Sequence, residues 1–340
     1  MALWPVYTGG NEPHDGITRL PAPPPWRAFD GAPVLDSPDE SDTATAASPD
    51  RVHRAETYRA TPQIVQLVNA ALYLRRPLLV TGPPGTGKSS LVYAVARELR
   101  LGPVLRWNIT SRSTLHDGLY QYDPLSRLYA ARGTAAEPDT AAGGTGIEDH
   151  LRLGPLGTAL LPYGRPRALL IDEIDKSDLD LPNDLLNVLE EGQYEIPELV
   201  RSARRTPTAE VMVDGTDERV PVDRGRVRCR AFPFVVLTSN GEREFPPAFL
   251  RRCVTLRLRQ PDDGHLAAIV RAHFDGEPDA YAQTLISRFL SRVGGGDLAT
   301  DQLLNAIYLA RSSDLDAESL DELAEQLMPY LGDAPLPDAF

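Results

Sequence analysis

Apolar residues along this chain fall into two alternating rhythms. In TPQIVQLVNAALYL, Ile64, Leu67, Val68, Ala71 and Leu72 recur at helical spacing. Thr61 is a good N-cap for that helix, and Pro62 suits its first position. Pro77-Leu78-Leu79-Val80 is then a short apolar run that reads as a buried strand. A glycine-rich stretch separates it from SSLVYAVARELR, where Leu91, Val95 and Leu99 return to one helical face. Further apolar runs at 104–109, 168–171, 234–238 and 254–258 read as strands, with helical patterns between several of them. Apolar strands alternating with helices predict an α/β fold: a five-stranded parallel sheet covered by helices on both faces.

From about Asp262 the pattern becomes wholly helical. One helix carries Leu285, Ile286, Phe289, Leu290 and Val293, the next Leu303, Leu304, Ile307 and Tyr308, and the last Leu320, Leu323, Leu327 and Leu331. Gly294-Gly295-Gly296 breaks the run. Two inserts interrupt the α/β part. GTAAEPDTAAGGTG, from Gly133 to Gly146, reads as a mobile low-complexity loop. VMVDGTDERVPV carries Asp214-Gly215 between β-rich runs, a hairpin signal.

The first residues have neither rhythm. Leu20 to Asp50 holds PAPPP and SPDESDTATAASPD, a composition that buries too little surface to offset its ordering entropy. A flexible arm is expected there, with order beginning near Tyr58. Trp4, Tyr7, Trp26 and Phe29 stand out as possible anchors or chance aromatics. The expected division is a flexible arm over 1–55, an α/β domain over 56–261 and a small helical domain over 262–340.

Composition narrows the chemistry. The formal net charge is −13, which argues against broad electrostatic affinity for nucleic acid. Cys229 and Cys253 form no CxxC pair, and the six histidines are scattered, so neither a disulfide framework nor a zinc site is expected. No run is long and apolar enough for a membrane span, and MALWPVYTGG lacks a signal-like core. A reducing cytoplasm fits this usage.

The glycine-rich stretch is TGPPGTGKSS. Gly82 to Ser89 fits GxxxxGK[ST] between an apolar strand and a helix, the context in which backbone amides cradle a polyphosphate. Gly82, Pro83, Pro84, Gly85, Thr86, Gly87, Lys88, Ser89 and Ser90 are the candidate nucleotide cradle. Lys88 suits the β- and γ-phosphates, and the Ser89 hydroxyl suits a magnesium shell. ALLIDEID, from Ala168 to Asp175, places Asp172 and Glu173 at the carboxyl end of a buried strand, facing the crevice beside those phosphates. Asp172 is the candidate Mg2+ ligand, and Glu173 the group that orients or deprotonates the attacking water.

Two more stretches follow in order: FVVLTSN, an apolar strand ending at Asn240, and FPPAFLRRC, just before another strand. The set resembles the AAA+ ATPases, and within them the MoxR-like group, over about Tyr58 to Leu331. The resemblance implies a P-loop AAA+ module followed by a small all-helical lid. It implies binding and hydrolysis of ATP with Mg2+. It places Asn240 at the sensor-1 position and Arg252 at the arginine finger, with Arg251 as fallback. Asn108, at its strand end, matches a polar partner of the catalytic glutamate or is an ordinary strand-end asparagine. The resemblance further implies a homo-hexamer that remodels partner proteins, such as those bearing von Willebrand factor A domains.

One departure is plain. The lid helix of such proteins usually opens with an arginine, the sensor 2, whereas this chain reads GGGDLATDQLLN, with Asp297 and Asp301 there. That leaves ATP binding intact and questions efficient turnover, so an ATP-dependent assembly switch is a second reading. A nucleic-acid motor is a third, opposed by the acidity. It rests on RGRVRCRA, whose Arg224, Arg226, Arg228 and Arg230 would share one face of a strand. The same stripe would alternatively meet an acidic partner or line a pore, and the plainer reading is a solvated edge strand.

Overall fold

The computed structural model describes residues 5–10, 12–38, 48–134, 146–274, 280–292 and 299–312, with positions 319, 322 and 326. In chain order these form α1 (Pro49–Thr57), α2 (Pro62–Leu74), β1 (Leu78–Thr81), α3 (Ser90–Glu98), β2 (Leu105–Asn108), α4 (Leu115–Leu119), β3 (Tyr120–Tyr122) and α5 (Pro124–Thr134). Next come β4 (Leu151–Leu153), α6 (Pro155–Ala159), β5 (Ala168–Asp172), α7 (Leu181–Glu191), β6 (Gln193–Glu195), α8 (Pro197–Ser202), β7 (Thr208–Met212), β8 (Arg219–Asp223) and β9 (Arg226–Arg228). The chain continues through β10 (Phe234–Ser239), α9 (Pro247–Leu250), β11 (Val254–Arg257), α10 (Asp263–Phe274), α11 (Ala280–Arg292) and α12 (Thr300–Ser312).

The predicted five strands form one parallel sheet, in the order β11-β1-β10-β5-β2. Side chains alternate across it, and the two faces bury separate cores. Leu79, Leu105, Trp107, Leu169, Ile171, Val235 and Leu237 join the core that holds α7 and the β-rich insert. Leu78, Val80, Ala168, Leu170, Phe234 and Val236 join the core under α2 and α3. α10, α11 and α12 enclose a third, smaller core around Leu285, Phe289 and Leu303. This is the expected α/β module with a helical lid. The last expected helix, carrying Leu320 to Leu331, lies outside the described residues apart from isolated positions, and so do Gly294-Gly295-Gly296 and most of the Gly133–Gly146 insert. Among the described residues, no helix is long and apolar enough to cross a membrane.

The Asp214-Gly215 hairpin is present: β7 and β8 pair antiparallel, and Gly215 turns with a φ of 74°. The hairpin extends a small sheet in the order β3-β4-β7-β8. The arginine stripe is shorter than expected. Only Arg226 and Arg228 lie in β9, paired with β6: Arg224 and Gly225 turn through the left-handed region before it, and Arg230 lies beyond its end. Arg226 is paired with Glu195 and Arg228 with Asp30, each at 2.9 Å, so these two charges are met within the chain.

The N-terminal segment corrects the expectation of a loose arm. Its described residues, 5–10 and 12–38, lie along the body. Val6 and Tyr7 are buried beside α2, and the buried Asn69 side chain holds them like a missing strand. Asn69 Oδ1 accepts from the Val6 and Tyr7 amides at 2.7 and 3.0 Å, and its Nδ2 donates to the Tyr7 carbonyl at 2.7 Å. The buried Glu98 carboxylate accepts from Thr8 N–H and contacts His14 Nε2 at 3.0 Å. Arg27 closes the strap. Its guanidinium donates to the Arg75, Leu189 and Glu190 carbonyls, which lie at the C-terminal ends of α2 and α7, and it stacks over Phe232. Unfilled carbonyls and a negative dipole end make these positions receptive to a cation. Composition misled because the segment needs no core of its own. Two buried polar side chains of the body, Asn69 and Glu98, and the carbonyls at two helix ends supply its partners, and its prolines lower the entropy it loses on ordering. Tyr7 and Phe29 are anchors; Trp26 is not, being 76% exposed, and Trp4 lies outside the described residues.

Two outcomes are expected. Asn69→Ala should cost about 1–3 kcal/mol in urea unfolding, because buried amides lose their acceptor, and should speed hydrogen exchange of residues 5–10 selectively. Cys229 and Cys253 are buried, and burial pushes both thiols up to about 12. Iodoacetamide at pH 8 should leave both unmodified in the native protein and alkylate both after denaturation.

Candidate nucleotide site

The carboxyl ends of β1, β5 and β10 meet at one edge of the sheet. Parity selects what stands there. Along β5, Leu170 faces α3, so Asp172 does too; along β10, Val236 faces α3, so Thr238 does too. On β2, Leu105 and Trp107 face the other core, which turns Arg106 toward the same side as Asp172. The contacts follow. Thr238 Oγ1 donates to Asp172 Oδ1 at 2.6 Å, and Arg106 Nη2 lies 3.0 Å from Asp172 Oδ2.

β1 ends at Thr81, and the glycine loop carries the chain into α3. Gly85 and Gly87 take φ values of 72° and 80°, the left-handed region that side chains resist. Both are also crowded. A Cβ at Gly85 would meet Ala299 at 2.5 Å, and one at Gly87 would meet the Tyr58 ring at 3.3 Å. Lys88 lies within the loop, its Nζ donating to the Gly82 and Pro83 carbonyls at 2.7 and 2.8 Å. Burial lowers the pKa of this ammonium, against the opposing pull of Asp175, Asp172 and Glu173. Ser89 Oγ donates to Asp172 Oδ1 at 2.8 Å. A hydroxyl and a carboxylate thus stand together at the foot of α3, hard oxygen donors of the kind Mg2+ takes.

Beyond Asp172 the backbone breaks sharply. Glu173 adopts a φ of 63°, a strained choice for a residue with a side chain. Its amide donates to Thr238 Oγ1 at 2.9 Å, and its Oε2 accepts from Lys176 Nζ at 2.9 Å. Asp175 then reaches across to β10. Its Oδ2 accepts from the amides of Asn240, Gly241 and Glu242 at 2.9, 3.1 and 3.2 Å. A single buried carboxylate thereby fixes the turn that carries Asn240 to the turn that carries Glu173.

These groups open on a cavity of about 710 Å³ between the body and the lid. Pro84 through Ser90, Asp172, Glu173 and Asn240 line it. Gly82 and Pro83 form the back of the loop rather than the cavity wall, although their carbonyls hold Lys88. Arg251 and Arg252 do not line it. They precede β11, whereas the cavity receives the other end of that strand, Arg257 and Leu258. Arg252 is held by Glu190 at 2.5 Å and by the Ala248 carbonyl, while Arg251 donates to the Pro247 carbonyl. The structure therefore brings the loop, Asp172, Glu173 and Asn240 together and separates the two arginines from them. Asn108 sits in register beside Asp172 at the edge of the same sheet.

Thr238, Arg106 and Asp175 belong to this cluster and were not singled out in the sequence. Asp175 had a signal, since it closes the run ALLIDEID. Arg106 and Thr238 acquire their place only from strand register.

A family model described as AAA domain (dynein-related subfamily) matches residues 77–253, more than half of the chain. A Rhodococcus erythropolis protein described as an ATP-dependent protease ATP-binding subunit-like protein is 32% identical over 126 residues, which cover 36% of this chain and 31% of that protein. The match thus spans under a third of that relative's length. Among solved structures, NtrX from Brucella abortus in complex with ADP aligns at a TM-score of 0.39 and 16% identity, covering 82% of this chain and 56% of that one. The FIGL-1 AAA domain in complex with ADP aligns at 0.36 and 14%, covering 89% and 88%. From Pro77 through Cys253, then, the loop, the acidic strand end and the following polar turn sit within one matched domain, and the chain belongs to the dynein-related AAA domain family of AAA+ ATPases.

Proposed function

We propose that this protein binds ATP in the cavity between body and lid and hydrolyses it as part of a ring of identical subunits. The observation that carries the reading is the junction of Ser89 with Asp172 at 2.8 Å, beside Glu173 and Asn240 on the same cavity wall. The phosphates would lie on the loop amides and Lys88, at the positive end of α3. Ser89 and Asp172 would hold Mg2+, which neutralises phosphate charge when bound. Glu173, set apart by its strained backbone, would take the proton of the attacking water. Asn240 would orient that water, and Asp175 would keep the two in register as a positioning residue.

Arg252 supports the ring. A finger arginine is useful where it reaches phosphate, and this one lies at the far end of β11 from its own cavity. A neighbour's cavity is the site it would complete, with Arg251 beside it as the alternative. Release from Glu190 would accompany that contact. The family resemblance extends this reading to a MoxR-like remodelling role, with a homo-hexamer as the ring and a von Willebrand factor A domain protein as client. A second reading, an ATP-driven assembly switch with little turnover, draws on one observation: the lid residue lining the cavity where the family carries an arginine is Asp301.

Turnover per subunit should rise with protein concentration. Glu173→Gln should lower it about 10²–10⁴-fold, and Arg252→Ala about 10³-fold. Mixing the two inactive variants should restore part of the activity, because one kind of interface in the mixed ring has both groups intact. ATP-dependent assembly, seen by light scattering, without turnover in any sample would favour the switch. Failure of the mixture to recover, with wild-type turnover independent of concentration, would refute a shared site.

Asp175→Ala should leave affinity for a fluorescent ATP analogue within about threefold and lower turnover about 10²-fold, as expected when reacting groups lose alignment. Hydrogen exchange at residues 240–242 should accelerate in this variant. Unchanged exchange there would show that Asp175 does not hold the turn.

A further inference from the structure

The start of α12 presses on the phosphate loop. A Cβ at Gly85 would fall 2.5 Å from Ala299 Cβ and 2.8 Å from the Thr300 amide nitrogen. Thr300 is 6% exposed and lines the cavity, yet its Oγ1 has no hydrogen-bond partner. A buried hydroxyl without a partner is destabilising and calls for an explanation. The first amides of α12, a helix running from Thr300 to Ser312, add the positive end of its dipole at the same place. The neighbouring Ala299 amide is already taken up by Gln302 Oε1 at 3.0 Å.

The charges around the cavity sharpen the point. Its cations are Lys88, Arg54, Arg59, Arg257 and Arg259, all from the body. Among the described lid residues, no lysine or arginine lines it; Asp262, His265, His273, Thr300 and Asp301 are the polar ones that do. Arg311 instead lies over the Phe274 ring. Asp301 is exposed and bears the wrong sign to attract phosphate. Thr300 is thus the lid group whose hydroxyl is uncommitted and whose backbone nitrogen is set against the loop.

We propose that Thr300 is the lid's contact with the nucleotide polyphosphate, its hydroxyl donating to a phosphate oxygen while the amino end of α12 adds its dipole. The lid then grips bound nucleotide by a neutral hydrogen bond where related proteins use a charged arginine. This rests on the nucleotide reading of the cavity. It also explains why an unpartnered hydroxyl is kept in a buried position: nucleotide completes it.

The test compares Thr300→Val, which keeps the shape, with Thr300→Ser, which keeps the hydroxyl. Binding of a fluorescent ATP analogue with Mg2+ and thermal unfolding with and without ATP are read for each. Thr300→Val should weaken the analogue about tenfold, the cost of one hydrogen bond to a charged group. Its nucleotide-free Tm should equal or exceed that of the wild type, because the unpartnered hydroxyl is gone, while the rise in Tm on adding ATP shrinks. Thr300→Ser should bind within about threefold of the wild type. Wild-type affinity in Thr300→Val would overturn the proposal. So would a lowered nucleotide-free Tm with the ATP-induced rise unchanged, which marks a packing role. If the wild type itself binds no nucleotide, the reading of the whole cavity falls, and this contact with it.

Discussion

A strand turns successive side chains to opposite faces, and that constraint decides which residues of β1, β2, β5 and β10 can meet. One face supplies the core under α2 and α3. The same parity, continued to the ends of the strands, delivers Asp172, Thr238 and Arg106 to the foot of α3. A slip of one residue in β5 would turn Asp172 toward α7 and point Ile171 at the glycine loop. The register Leu237↔Ile171 is therefore as much a property of the site as of the sheet.

What parity cannot fix is the placement of residues past the strand ends, where the backbone leaves the sheet. There the chain relies on local hydrogen bonds. Thr238 ties the Glu173 amide to β10, and Asp175 gathers three amides of the turn after β10. The two turns are thus cross-braced from both sides. The bracing holds Glu173 in a backbone conformation it would not adopt by itself.

The loop Gly82–Ser89, the acidic strand end and the alternation of strand and helix were legible because each depends on short-range pattern. Five apolar runs named the five strands of the sheet correctly. Arg106 was not legible: in LRWN it looks like an ordinary exposed position, and only pairing with β5 brings it to Asp172. The strap over 5–38 was misread for a related reason. Its partners, Asn69, Glu98 and the carbonyls beside Arg27, lie from about 50 to more than 150 residues away in sequence. The arginine run Arg224–Arg230 was half legible, since alternation predicted a shared face but not the left-handed turn at its start.

The strap also changes where the domain can be cut. The family match begins at Pro77, one residue before the first strand of the sheet. A fragment excised there would lose α2 and the strap together, baring Leu78, Val80 and Val95 on one face and leaving the C-terminal carbonyls of α7 without Arg27. The unit that a sequence family recognises is thus smaller than the unit that folds. A soluble recombinant fragment of this protein has to carry the proline-rich segment that its composition makes look dispensable.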